Sequence, residues 1–317
     1  MKKNLIALAV LAASSASFAQ VSLTGSLISG YRDSTAPAGN ASGFGVDTAE
    51  LTFNAKEDLG GGMKASAALG LVDQSRGNTF GAGDTVLSLE GAFGKFSVST
   101  VRSVDYLTGG LAAVGGTGFD EKLFSVRDKN DMVSYSVPLG PVGVQLSYVE
   151  PTNNLGLGQG TSGASANTTQ RNSAIGLSYA TGALAADVGY AMYDQADAAS
   201  SSIKSDVRGA ATYDFGVAKL GGGIVQRAYK TGTRTDALLA VGVPMGALTL
   251  GANMGQRNVS STDESANKNG TRNGYGLKAS YALSKRTAFS VDYTNWANQV
   301  GDSSNSTQTN VLLSHSF

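Results

Sequence analysis

Apolar and polar residues alternate along most of the chain with a period of two. Between Val142 and Tyr148 every second residue is apolar, and the residues between them are glycine, glutamine and serine. The segments from Tyr275 to Leu283 and from Phe289 to Tyr293 alternate in the same way. Each segment is about 8–12 residues long, the length that a tilted strand needs to cross a bilayer. The pattern therefore predicts an all-β protein built from long strands.

The connections between these segments alternate between two kinds. Short turns rich in glycine and proline, such as Asp58–Gly62, predict tight hairpins. Longer polar stretches lie between them, and they include Asp33–Gly45, Ser103–Lys129 and Lys230–Arg234. Seven short turns and eight longer stretches give fifteen connections and therefore about sixteen antiparallel strands.

The first residues have the pattern of a secretory signal peptide. Two lysines precede an apolar run from Leu5 to Ala13, and small residues follow at Ser17 and Ala19. The run is too short to cross a membrane as a helix. We predict that residues 1–19 are cleaved and that residues 20–317 form one domain.

The composition excludes several classes of function. The chain has no cysteine and one histidine, which leaves no disulfide framework, no cysteine-based metal site and little support for Ser-His catalysis. The 24 Lys and Arg residues balance the 24 Asp and Glu residues, so no basic excess indicates nucleic acid binding. We predict that the protein is not an enzyme and uses no cofactor or metal.

A membrane barrel explains the alternating strands better than a soluble sheet. The polar faces carry Gly, Ser, Gln, Lys and Arg, which suit a wet interior and would be costly in a dry core. In lipid the sheet must close on itself, since every backbone group needs a partner. A barrel of about sixteen strands is too wide for side chains to fill, so it contains an aqueous channel. The alternatives are a non-transporting barrel that acts as an adhesin or structural protein, and a soluble secreted β-sandwich.

The last alternating stretch ends in an aromatic residue. Leu313, His315 and Phe317 share one face with Thr309 and Val311. Outer-membrane proteins commonly end in this way, and the barrel-assembly machinery reads that signal. We expect these residues to be an insertion signal, although an ordinary role for His315 in the strand fits equally well.

Four segments resemble the general porins of Gram-negative β-proteobacteria. They are Val21–Gly25, Glu57–Lys64, Arg127–Asn130 followed by Val133–Tyr135 and Pro138, and Leu313–Phe317. The resemblance covers the whole predicted mature chain. It implies a homotrimer of sixteen-stranded barrels in the outer membrane, surrounded by lipid and lipopolysaccharide. It also implies passive diffusion of ions and small hydrophilic solutes.

In this family the third loop folds into the barrel and narrows it. Here that loop, Ser103–Lys129, offers four charged candidates for the constriction. They are Asp105, Asp120, Glu121 and Lys122. The resemblance adds the wall cations Arg102 and Arg127, strand phase adds Arg32, and Arg76 is a candidate on the second loop.

Opposed charges across a narrow wet lumen select ions by sign. The resemblance implies a preference for anions. The charge balance does not favour anions by itself, because removal of residues 1–19 leaves 22 positive and 24 negative side chains.

Overall fold

The computed structural model consists of long β-strands joined by turns and loops. It describes residues 20–36, 39–72, 81–103, 105–117, 119–120, 122–124, 129–150, 171–194, 203–261, 269–297 and 305–317. The strands are β1 Gln20–Thr35, β2 Ala41–Gly60, β3 Met63–Val72, β4 Gly81–Gly91, β5 Gly94–Arg102, β6 Lys129–Leu139, β7 Val142–Glu150, β8 Asn172–Thr181, β9 Leu184–Tyr193, β10 Ile203–Asp214, β11 Lys219–Tyr229, β12 Gly232–Met245, β13 Leu248–Ser261, β14 Gly270–Ala282, β15 Thr287–Trp296 and β16 Ser306–Ser316. The predicted signal peptide, residues 1–19, lies outside the described residues.

Every strand pairs with its sequence neighbours, and β1 pairs with β16 to close the sheet. All sixteen pairings are antiparallel. The closing pair runs from Ser26 opposite Ser316 to Thr35 opposite Thr307. The prediction of a closed antiparallel barrel of sixteen strands is confirmed, and closure leaves no sheet edge that would need a partner in lipid.

The two faces of the sheet differ in chemistry. Leu239 and Met254 are 63% and 62% exposed, and large apolar residues are exposed at alternate positions of many strands. On the same two strands, Asp236 and Asn253 have the opposite phase and are 3% and 7% exposed. An apolar belt that faces outward and polar side chains that face inward are the arrangement of a transmembrane barrel.

The strands extend further than the sequence pattern predicts at two places. The polar stretch from Asp33 to Gly45 was expected to be a long loop, but β1 and β2 continue to pair as far as Ser34 and Ala41. Lys230–Arg234 was also expected to be a longer loop. There, β11 and β12 are joined by a turn of two residues, and Arg234 belongs to β12. Backbone pairing extends into both polar stretches and there outweighs their loop-like composition.

The short hairpin turns follow their sequence signals. Between β2 and β3, Gly61 and Gly62 have φ of +61° and +79°, which residues with a side chain rarely adopt. The side chain of Asp58 accepts a hydrogen bond of 2.9 Å from the N–H of Gly60. This turn is the one that the sequence predicts from Asp58–Gly62.

No helix in the described ranges is long and apolar enough to span a membrane.

Candidate functional site

The chain between β5 and β6 is the third of the longer loops and is here called the third connection. Its described residues pack against the inner face of the barrel wall. Leu107 and Ala112 of this connection are buried together with Ala210 and Val225 of the wall. These wall residues alternate with exposed apolar residues such as Ile224, so they lie on the inner face. The hydroxyl of Thr212 also donates a hydrogen bond of 2.5 Å to the carbonyl of Leu111.

The later part of the third connection packs further around the wall. Phe119, Leu123 and Phe124 are buried, and the rings of Phe119 and Phe124 meet edge to face with centroids 6.0 Å apart. The ammonium group of Lys122 lies 5.3 Å from the ring centre of Trp296 on β15. These packing and cation–π contacts of the described parts of the connection therefore reach from β10 to β15.

Two acids that the sequence analysis placed at the constriction are engaged within the connection itself. Asp105 is 8% exposed and accepts hydrogen bonds from the N–H groups of Leu107 and Thr108 at 3.0 and 2.8 Å. The hydroxyl of Thr108 contacts Asp105 at 3.0 Å and Asp120 at 3.1 Å. These carboxylates therefore satisfy donors of the connection and shape its course.

Five arginines occupy the inner face of five successive strands and are called the arginine ladder. They are Arg208 on β10, Arg227 on β11, Arg234 on β12, Arg257 on β13 and Arg272 on β14. Arg227 pairs directly with Arg234 in the sheet register, and Arg257 pairs with Arg272. Consecutive strands thus place guanidinium groups in a row along the inner wall.

Two aspartates form ion pairs with members of the arginine ladder. Asp206 contacts Arg227 at 2.6 Å. Asp236 binds Arg257 through two bonds of 2.6 and 2.8 Å and also lies 3.2 Å from Arg234. The five arginines of the ladder and these two aspartates together carry a net charge of +3, and Asp187 on β9 lines a pocket together with Arg208.

Tyr106 of the third connection contacts one member of the arginine ladder. The guanidinium carbon of Arg208 lies 4.7 Å from the ring centre of Tyr106, a distance typical of a cation–π contact. The hydroxyl of Tyr106 donates a hydrogen bond to Asp187 on β9. Partial burial, and then this hydrogen bond, raise the pKa of Tyr106 above its usual value, so the phenol stays protonated as a donor.

A pocket of about 570 Å³ lies between the third connection and the wall. Its lining combines residues of the connection with members of the arginine ladder. They include Arg102, Asp105, Tyr106, Arg208, Arg227 and Arg234. The lining also includes Asp84, Asp206 and Asp236, so an ion that entered this space would meet four guanidinium groups and four carboxylates.

The predicted wall cations have different positions. Arg102 ends β5, is exposed and borders the pocket, and its N–H donates a 2.7 Å bond to Asp84. Arg32 faces inward on β1, where it donates to Asn310 at 2.8 Å and pairs with Asp47. Arg32 and Asp47 line a pocket that is different from the one beside the third connection. Whether these two arginines select ions stays a prediction.

Three of the predicted site residues, Arg76, Glu121 and Arg127, lie outside the described residues.

The predicted insertion signal lies at the closing seam of the barrel. Leu313 is exposed on the outer face, and the rings of His315 and Phe317 stack with centroids 6.4 Å apart. Nδ1 of His315 lies 2.9 Å from the hydroxyl of Thr287. Phe317 exchanges two backbone hydrogen bonds of 3.0 and 3.1 Å with Gly25. These contacts give the stretch a structural role, and its reading as a signal stays a prediction.

The arginine ladder is the part of the site that the sequence analysis missed. Strand phase was the available signal, because it is the argument that placed Arg32 on the polar face. Applied to β10 and β11, it places Arg208 and Arg227 on that face too. Arg234 was hidden because its segment was read as a loop.

The closed barrel, its apolar outer face and its charged inner face define a transmembrane β-barrel channel. A model of the Gram-negative porin family matches residues 6–301. The chain belongs to this family.

Two relatives and two solved structures agree with this assignment. The chain is 28% identical over 285 residues to outer membrane porin protein 32 of Delftia acidovorans. This match covers 78% of this chain and 77% of that protein. It is 33% identical over 126 residues to major outer membrane protein P.IB of Neisseria meningitidis serogroup B, or 35% and 37% of the two chains.

The solved structures share the fold. An anion-selective porin from Comamonas acidovorans superposes with a TM-score of 0.73 at 20% identity, over 94% of this chain and all of that one. A Salmonella typhi OmpF structure gives 0.71 at 10% identity over 94% and 98%. The protein is therefore an outer-membrane porin that forms a channel for passive diffusion of small solutes.

Proposed function

We propose that this porin prefers anions. The observation that carries the proposal is the arginine ladder, in which five inward-facing arginines on neighbouring strands are paired with the two aspartates Asp206 and Asp236. The described acids Asp105 and Asp120 accept hydrogen bonds from donors of that connection, which fixes their positions and leaves their charges in place. A row of like charges in a narrow wet passage concentrates ions of the opposite sign.

The ladder suits passage better than tight binding. Asp206 and Asp236 hold Arg227 and Arg257 in place, and each guanidinium has five N–H donors, more than one carboxylate uses. An anion can therefore contact the exposed Arg208, while the largely buried guanidinium groups of Arg234 and Arg257 act on it through their charge. Conduction needs such multiple weak sites, because a tightly bound solute would not leave.

We further propose that the third connection narrows the channel at the pocket that it forms with the ladder. Its packing on the inner face from β10 to β15 supports this. As the resemblance implies, we propose a homotrimer in contact with lipid and lipopolysaccharide, inserted by the barrel-assembly machinery. We also propose that residues 1–19 direct export and that the channel carries out no catalysis.

The test of anion preference is the reversal potential of single channels in a potassium chloride gradient. We expect a potential of the sign set by chloride, and a shift toward potassium in Arg208→Gln, since this removes an exposed charge of the ladder. Arg286→Gln removes the same charge from an exposed turn and should leave the potential unchanged. A wild-type potential of the potassium sign would refute the proposal.

A further inference from the structure

Glycines line the inner wall where the third connection packs, and they are called the glycine seat. They are Gly221 and Gly223 on β11, Gly242 on β12, Gly251 and Gly255 on β13, and Gly274 and Gly276 on β14. Each has an atom of the third connection within 3.2 Å of the point that a Cβ would occupy. A sheet surface without Cβ atoms lets another chain segment approach unusually closely.

Backbone of the third connection rests directly on three of these glycines. A Cβ on Gly221 would overlap the carbonyl of Ala112, and one on Gly251 would overlap the carbonyl of Gly115. A Cβ on Gly242 would lie 3.0 Å from the N of Gly115. Backbone atoms cannot rotate away, so a methyl group here must displace the connection itself.

Side chains of the third connection fill the remaining space. The point for a Cβ on Gly223 is 2.8 Å from Leu107, and the point on Gly255 is 2.7 Å from Phe119. Phe119 also lies 2.6 Å from the point on Gly274. The buried cluster that includes Leu107 and Phe119 therefore depends on glycine in the wall.

The third connection has little freedom to move along the wall. Near its start, Tyr106 binds Asp187, and Leu111 accepts a hydrogen bond from Thr212. Near its end, Lys122 stacks on Trp296. With both ends attached, added volume beneath the connection can only push it away from the wall, which is toward the water-filled interior.

We propose that the glycine seat determines the size limit of the channel by setting how deeply the third connection lies against the wall. The inference rests on the proposal that this connection narrows the channel. The seat shares no residue with the arginine ladder. Size discrimination and charge preference are therefore properties of separate sets of side chains and respond to separate substitutions.

The first experiment compares three alanine variants on the inner face. Gly221→Ala and Gly251→Ala add a methyl group under the backbone of the third connection, whereas the nearest atom to a Cβ on Gly176 of β8 is 4.0 Å away. Relative to Gly176→Ala, we expect the two seat variants to lose single-channel conductance and to admit neutral sugars only of smaller size into liposomes. The sign of the reversal potential should not change.

A second pair of variants separates this effect from damage to the barrel. Gly115→Ala changes the connection alone. Its Cβ would lie 2.6 Å from the carbonyl of Val241 and its φ of +83° disfavours any side chain, so the connection must shift and conductance should fall with all strands unaltered. Gly223→Ala should also lower conductance, and adding Leu107→Ala should restore it by removing the side chain that the new methyl group meets. Heat-modifiable gel mobility confirms that each barrel is folded.

A labelling experiment separates this inference from the proposal that the third connection narrows the channel. The chain has no native cysteine, and Gly116 has open space around its Cβ position, so Gly116→Cys provides a specific labelling site. Because the φ of Gly116 is +57°, which disfavours a side chain, the unlabelled Gly116→Cys protein is the reference for conductance. If a bulky thiol reagent there leaves conductance unchanged, the connection does not narrow the channel. If that label blocks conductance but the seat variants behave like Gly176→Ala, the glycine seat has no role in size selection.

Discussion

Asp236 is the residue on which the arginine ladder depends most. Its side chain is 4% exposed and accepts two hydrogen bonds from Arg257, whose own side chain is 7% exposed. It also lies within 3.2 Å of Arg234. A paired buried charge is stable only while its partner remains, because neither ion can recover its hydration.

Asp236→Asn should therefore destabilise the barrel. The amide keeps the size of the side chain but removes its charge, which leaves two largely buried guanidinium groups without their carboxylate. We expect a loss of about 3–5 kcal/mol in the free energy of unfolding, measured by guanidinium titration in detergent. Asp214→Asn is the control, since it breaks an exposed pair with Lys219 and should have no measurable effect. Equal effects of the two changes would contradict this account.

At the residue scale, the sequence predicts which face a side chain lies on but not what it contacts. The alternating pattern correctly places Arg32 inward, where it contacts Asn310. It cannot show that Asp105 binds Leu107 and Thr108, because that arrangement depends on how an irregular segment folds. The same applies to Tyr106 and Asp187, which are far apart in the sequence and meet only after the barrel has closed.

The strands illustrate the same contrast at the scale of elements. Their number and order follow from the alternation and the turn signals, since a two-residue period with glycine-rich turns has few other solutions. Their ends do not follow, as the extra length of β1 and β2 shows. The packing of the third connection was not predictable either, because glycines in a strand pattern do not reveal which segment lies on them.

The seam between β1 and β16 leaves no room for a side chain at Gly30. A Cβ on Gly30 would overlap the carbonyl oxygen of Val311 on the neighbouring strand. We therefore expect Gly30→Ala to reduce the yield of folded barrel, measured by heat-modifiable gel mobility after refolding in detergent. Gly43→Ala is a matched control in β2, because nothing lies within 4 Å of its Cβ position. Normal yields for Gly30→Ala would show that the seam can adjust.

At the scale of the whole molecule, the outer and inner faces of the barrel contact two different solvents. Lipid covers an outer face on which Leu239 is 63% exposed, and water fills an inner face on which Gln145 is exposed. Each face therefore tolerates a different substitution. The sequence pattern predicts this division, because apolar and polar residues alternate along every strand that it identifies.

Leu239→Arg and Gln145→Arg test the two faces with the same introduced charge. Leu239 is near the middle of β12, so an arginine there must leave water and should cost about 2–4 kcal/mol of folding free energy in bilayers. Gln145→Arg should have little effect, since its side chain stays in water. Unfolding by urea in lipid vesicles measures both. The assignment of faces would be reversed if Gln145→Arg were the more damaging change.

Closure of the barrel also limits when the molecule can be completed. Arg32 and Asn310 meet across the seam although 278 positions separate them, whereas the other strand pairs join consecutive segments. A chain still lacking β16 would have bare edges on β1 and β15, and hydrocarbon offers no partner for them. Stable residence in the bilayer is therefore an all-or-none property, which a truncated chain without β16 would lack.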